Sequence, residues 1–193
     1  MADTTLDASN VSVQKGSVVG IVYYGPLTAT LPTTADAALT GFTSVGLIGE
    51  DGIVFSQSTD HKDIKDMNGD VVLSPQTSRS ETCKFAMIEA LNINAMKAAF
   101  GDANVSGDLA KGITIKHNSI ETPKCAYVID TVMSDGRAHR DVIPVANISA
   151  YDDITLKPDT AYAYGITLNC LKDKAGQTHY EYFGPTPTAT AGA

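Results

Sequence analysis

The sequence predicts a mainly β protein, a meander of short strands with one α-helix. Three observations carry this expectation. Turn residues punctuate the chain densely, with Asp51-Gly52, Asn68-Gly69, Asp135-Gly136 and Lys174-Ala175-Gly176 separating runs of strand length. The runs between them either alternate with a period of two or stay apolar throughout. A helical spacing with stop and start signals occurs convincingly only at residues 92–100.

Taken in order, Val18 to Tyr24 is a continuous apolar run that predicts the first strand. Residues 25–40 (GPLTATLPTTADAALT) are small and polar and predict a loop with a helical turn around Ala35 to Leu39. Asp51-Gly52 predicts a turn before the strand IVFSQS, in which Ile53 and Phe55 share a face with Gln57. From Thr59 to Asp70 the chain becomes polar (TDHKDIKDMNGD), with a turn signal at Asn68-Gly69, where both residues tolerate positive φ.

A strand is expected from Val71, extending as far as Ile88. Its odd positions include Val71, Leu73, Cys83, Phe85 and Met87; its even positions are Ser74, Gln76, Ser78, Ser80, Thr82 and Lys84. One face is therefore apolar at both ends and the other is wet. In NINAMKAAF, Asn92 caps a helix, Ile93, Met96 and Phe100 fall at i, i+3 and i+7, and Gly101 ends it. A helix starting near Lys84 is the alternative, because KFAMIEAL contains good helix formers, but the alternation of Cys83, Phe85 and Met87 favours a strand.

The remainder reads as a β meander. Gly112 to His117 alternates, Cys125 to Met133 is apolar enough to be covered on both faces, and Ala138 to Ser149 follows the Asp135-Gly136 turn. Pro144 lacks an N–H, so that strand is expected at an edge or with a bulge. Thr160 to Leu171 puts Tyr162, Tyr164, Ile166, Leu168 and Cys170 on one face, and Thr178 to Phe183 is the last strand. Residues 1–183 are expected to form one domain, and GPTPTATAGA at 184–193 a low-complexity, disordered tail.

Composition narrows function. With 14 basic and 22 acidic residues the net charge is −8, which disfavours non-specific binding of polyanions. Basic residues do not cluster with aromatics. Cys83, Cys125 and Cys170 each fall in an expected strand and are expected to be reduced thiols of a cytosolic product. No basic-then-apolar leader and no apolar run of membrane-spanning length is visible.

The best catalytic or metal candidate is the group Asp60, His61, Asp63, Asp66 and Asp70, but no nucleophile or second histidine stands at motif spacing. His117, His139 and His179 are scattered over separate strands, and the glycines at 46, 49 and 52 do not match a phosphate-binding fingerprint. No catalytic residue, cofactor or metal site is predicted.

The order of segments resembles the tail tube (major tail) proteins of siphovirus-type bacteriophages. The matching stretches are VGLIGEDGI at 45–53, DIKDMNGDVVL at 63–73, TSRSETCKFAMIEALNINAMKAAFGDANVSG at 77–107 and GITIKHN at 112–118. They continue as CAYVIDTVMSDGRAHRDVIPVANIS at 125–149 and AYGITLNCLKDKAGQTHYEYF at 163–183, so the resemblance spans about residues 17–183.

It implies a β-sandwich or half-barrel of antiparallel strands flanked by one α-helix, in a structural virion protein whose hexameric rings stack into a tube, the conduit for genomic DNA. Implied partners are further copies of the chain, the tape-measure protein, the tail terminator and the distal tail proteins. DNA would cross the lumen without specific binding, after assembly in the host bacterial cytoplasm. The family's long loop, which contacts the neighbouring ring, maps by position onto about 56–69, with Asp60, His61, Lys62, Asp63, Lys65 and Asp66 as its contact candidates, and these residues are expected to be mobile in the free subunit. Gln76, Ser78, Ser80 and Thr82, on the wet face, are the expected lumen residues. Rival readings are a type VI secretion-like or domesticated contractile-tail tube protein, a β-rich adhesin or pilus subunit, and a small hydrolase using Asp60, His61 and Asp63.

Overall fold

A computed structural model describes residues 7–185. The expected disordered tail lies, from residue 186 onward, outside the described residues. The strands are β1 (Gln14–Gly16), β2 (Val22–Pro26), β3 (Thr43–Ser44), β4 (Ile48–His61), β5 (Ile64–Lys65), β6 (Val71–Leu73) and β7 (Gln76–Met87). After α1 (Ile93–Phe100) come β8 (Val105–Asp108), β9 (Gly112–Ile115), β10 (Cys125–Met133), β11 (Ala138–Tyr151), β12 (Tyr164–Leu171) and β13 (Tyr180–Phe183).

The main sheet is antiparallel and runs β3-β2-β10-β11-β12-β7-β4, with β1 added to β10 and β13 added to β11. It rolls into a half-barrel. Phe85 of β7 meets Tyr127 of β10 edge-on at 6.4 Å, and Phe55 of β4 stacks on His179, just before β13. The enclosed core contains Val22, Val45, Ile129, Ile143, Ile166 and Leu168. Each full burial of such a side chain contributes about 1.5–3 kcal/mol.

The helix lies against this core as expected. The Asn92 side chain accepts a hydrogen bond from the Asn94 N–H, and Gly101, at φ 85, donates its N–H to the Lys97 carbonyl. Ala95, Met96, Ala98 and Ala99 are buried, while Tyr164 and Tyr151 anchor the neighbouring chain by donating to the Ala90 and Ala99 carbonyls. β7 runs to Met87, which excludes a helix starting at Lys84.

β10 has the boundaries its sequence predicts and lies between β2 and β11; Ala126, Tyr127, Val128 and Ile129, which point to alternate faces, are all buried. β11 is central, and Pro144 marks a change of partner. β13 pairs with His139–Val142, β12 pairs from Val145 onward, and the register against β10 slips between Ile143 and Ala146. The missing N–H thus falls in a bulge between two ladders.

Several expectations are corrected. Val18 and Val19 are exposed in a bend, and the strand begins only at Val22, beyond Gly20. Residues 35–39 form no helix; only a turn at Ala35-Asp36 appears, and the Thr34 and Ala37 carbonyls accept hydrogen bonds from Arg140 Nη1. Asp51-Gly52 is a bulge inside β4: Gly52 takes φ 71 while the register jumps from Ile48–Met87 to Ile53–Phe85. The expected strand from Val71 to Ile88 is broken at Pro75. Gly112–Ile115 is a strand as expected, but its hairpin partner β8 is not anticipated in the sequence. The hairpin needs Gly107, at φ 96, where a Cβ would sit 2.1 Å from the Gly112 carbonyl oxygen.

Beside the rolled sheet lies a buried ion pair. Arg140 on β11 donates from Nε to Asp130 Oδ1 at 2.6 Å and from Nη2 to Oδ2 at 2.8 Å, and its Nη1 holds the 34–37 loop. With Arg140 only 5% exposed, removing its partner leaves an uncompensated charge. Asp130→Ala is expected to lower unfolding free energy by about 3–5 kcal/mol in urea titrations. Lys84→Ala, which breaks the exposed pair with Asp152, is expected to cost at most about 1 kcal/mol.

Candidate assembly interface

The polar span expected as a loop is a projecting arm. Ser56–His61 pair with Gln76–Thr82 as a two-stranded ribbon, because both stretches are strand-forming and their polar side chains can face water on both sides. The tip is a second hairpin in which Ile64 pairs with Leu73 and Lys65 with Val71. Asp66 closes it. Its Oδ1 accepts from the Asn68 and Asp70 amides at 2.8 and 2.9 Å, and Gly69 takes φ 95. The Asp70 amide, ahead of the other bonds, holds the Asp66 carboxyl below the usual carboxylate range. No non-glycine residue takes positive φ among the described residues, so only Gly69 uses that freedom in the Asn-Gly pair.

All six residues expected in the inter-ring loop lie on this arm and are exposed: Asp60 and His61 end β4, Lys62 and Asp63 link the ribbon to the tip, Lys65 is in β5, and Asp66 is in the turn. The carboxylates are engaged locally, Asp60 accepting from Ser78 Oγ and Asp63 from Ser74 Oγ, each at 2.5 Å. This gives no acid–base dyad. The tip also exposes Ile64, Met67, Val71, Val72 and Leu73, which its polar sequence context concealed.

The even side of β7 is wet, and its neighbours extend it. Asn147, Asn169, Thr82 and Ser56 occupy one row across β11, β12, β7 and β4. Next along the ribbon come Ser80 with Ser58, then Ser78 with Asp60. Ser78 and Ser80 are exposed and Thr82 is half-buried, so these three of the residues expected to line a lumen share one hydroxyl-rich surface, while exposed Gln76 lies beyond a register slip, opposite His61. Asn147 and Asn169 were missed because register across strands is not written in any one of them.

At the root of the arm is a polar cluster on the opposite, core-facing side. Glu81 is buried and accepts from Gln57, Arg79, Thr178 and His179. His179 also reaches Asp141. His139 lies beside Asp141, with its Nδ1 near Gln14 and Thr131, while its buried Nε2 has no hydrogen-bond partner among the described residues. The available signal was an acid at an odd position, in register with Cys83, Phe85 and Met87.

Donor atoms of His139, Asp141 and Glu181 lie within 4.8 Å of one another. Asp141 Oδ1 already accepts from His179 Nε2, so these groups form part of one hydrogen-bonded network. The three thiols are free. Burial pushes Cys83, Cys125 and Cys170 all upward, the last to about 12, which leaves them protonated at neutral pH.

A family model for phage tail tube proteins matches residues 5–193. The chain belongs to the phage tail tube proteins. It is therefore a structural component of a phage tail, and the β-rich fold with its single described helix agrees with that family. Comparison with curated proteins finds no match. No helix among the described residues is long and apolar enough to cross a membrane.

Proposed function

We propose that this tail tube protein assembles as hexameric rings, stacked into the conduit through which the phage genome enters the host. The observation that carries the reading is the open edge of β4. β4 pairs with β7 on one side only among the described residues, and its 14 residues include neither lysine nor proline. Such an edge recruits another strand, and closing a sheet from copy to copy removes the edge. The arm, including Asp60 to Asp66, then reaches the adjacent ring and covers its five exposed apolar side chains there.

The row from Asn147 to Ser56, with Gln76, Ser78, Ser80 and Thr82, is assigned to the lumen. A wall that made only about 6–10 phosphate contacts would already hold DNA tightly, so a passage should offer hydroxyls and amides. The tape-measure protein, tail terminator and distal tail proteins complete the proposed set of partners. Assembly is placed in the host bacterial cytoplasm.

The arm is tested with Met67→Asp combined with Val72→Asp, two exposed positions whose change should leave the subunit's melting temperature within about 2 °C. Negative-stain microscopy and sedimentation should show tubes for the parent chain and unstacked rings or single subunits for the variant. Unchanged tubes would reject the arm's role. For the lumen, Ser78→Lys with Ser80→Lys should leave tubes intact and slow DNA ejection from phage particles. Ejection at the parental rate would remove that face from the channel.

A further inference from the structure

His179 joins three parts of the chain. Its Nδ1 lies 3.1 Å from Glu81 Oε1 on β7, and its Nε2 lies 2.9 Å from Asp141 Oδ1 on β11. Ionised carboxylates only accept hydrogen bonds, and a neutral imidazole has a single N–H. Only the imidazolium satisfies both contacts. The side chains of His179, Glu81 and Asp141 are 9%, 2% and 7% exposed, so water cannot replace a lost bond easily. Phe55 of β4 covers the ring, with centroids 4.7 Å apart and planes within 5°.

The surrounding charges favour a cation at this point. From β7, Arg79 Nη2 lies 3.2 Å from Glu81 Oε2; from β13, Glu181 Oε1 lies 3.8 Å from His179 Nε2; from β11, His139 Nδ1 lies 3.7 Å from Asp141 Oδ2. β4 contributes only uncharged groups, Phe55 and the Gln57 amide on Glu81. Three carboxylates thus face one arginine and two histidines.

We propose that His179 is a pH-operated latch, which as imidazolium fastens the segment leading into β13 to the root of the arm, and on losing its proton releases that segment. The latch is a property of the single subunit and does not rest on the assembly reading. Burial alone pulls the imidazole down. Hydrogen bonds to Asp141 and Glu81, and then their charges, outweigh it and raise His179 above its ordinary 6.5. Burial likewise pushes the Glu81 carboxyl up, but the hydrogen bonds from Thr178, His179 and Gln57 bring it below its ordinary 4.5.

The sign of the pH effect follows from these directions. The His179 contribution is fully present below the ordinary histidine value and is lost as pH rises through the raised folded value. The Glu81 contribution is present above its ordinary value and is lost only as pH falls through the lowered one. The latch is closed in the window between these two limits and opens on the alkaline side.

The test is an NMR titration of the His179 ring in the full chain from about pH 5 to about pH 10, combined with hydrogen exchange of residues 178–183 corrected for intrinsic chemistry. The His179 midpoint is expected above that of an unfolded histidine. Above that unfolded value and up to the folded midpoint, the opening constant of residues 178–183 should rise up to about tenfold per pH unit. His179→Gln should show the same protection at about pH 6 and about pH 9. Asp141→Asn should lower the His179 midpoint, which decides the matter if the glutamine variant does not fold. A midpoint at or below the ordinary value, protection that is flat with pH in the parent, or a midpoint unmoved by Asp141→Asn would overturn the proposal.

Discussion

Backbone N–H and C=O groups along the outer side of β4 need partners, and nothing among the described residues supplies them. A strand of 14 residues with one free edge is a hazard in a protein meant to stay single. Natural sheets blunt such edges with lysine, proline or a covering loop, and β4 uses neither residue type. Its two register slips, at Gly52 and between Asp60 and His61, bend the strand without closing the edge. In the proposed assembly the hazard becomes the means of construction, with another copy supplying the missing partner.

The rest of the molecule holds that edge in place. β4 contacts the sheet through β7, and β7 is fixed at its base by Glu81 and along its length by Cys83, Phe85 and Met87 in the core. Beyond Glu81 the two strands continue as a ribbon with water on both faces. An isolated two-stranded ribbon is marginal in water. The cluster of Glu81, His179 and Asp141 therefore sits where the stable body ends and the arm begins. Arg140 with Asp130 does the comparable work at the other side of β11, holding the 34–37 loop.

Much of this was legible in the sequence wherever a signal was local. Asn92 and Gly101 delimit the helix, Asp135-Gly136 and Lys174-Ala175-Gly176 mark real turns, and the apolar run Cys125 to Met133 is a strand buried on both faces. Failures arose where the outcome depends on a distant partner. Asp51-Gly52 is a turn by composition, yet β7 across from it keeps the strand continuous. Thr59 to Asp70 is a loop by polarity, yet Gln76–Thr82 supplies a strand for it to pair with. Thr178 and His179 were read as strand because nothing nearby shows that Glu81 and Asp141 will draw them into a buried cluster. The row from Asn147 to Ser56 exists only once four strands are in register.

The central claim is that β4 completes its hydrogen bonding with a neighbouring copy. Cryo-electron microscopy of assembled tubes, at a resolution that places backbone carbonyls, tests it most directly. The account predicts that the outer-edge amides and carbonyls of β4 pair with a strand of the adjacent subunit, forming a continuous sheet around the ring. A tube in which that edge faces solvent, with subunits joined through side chains alone, would contradict it.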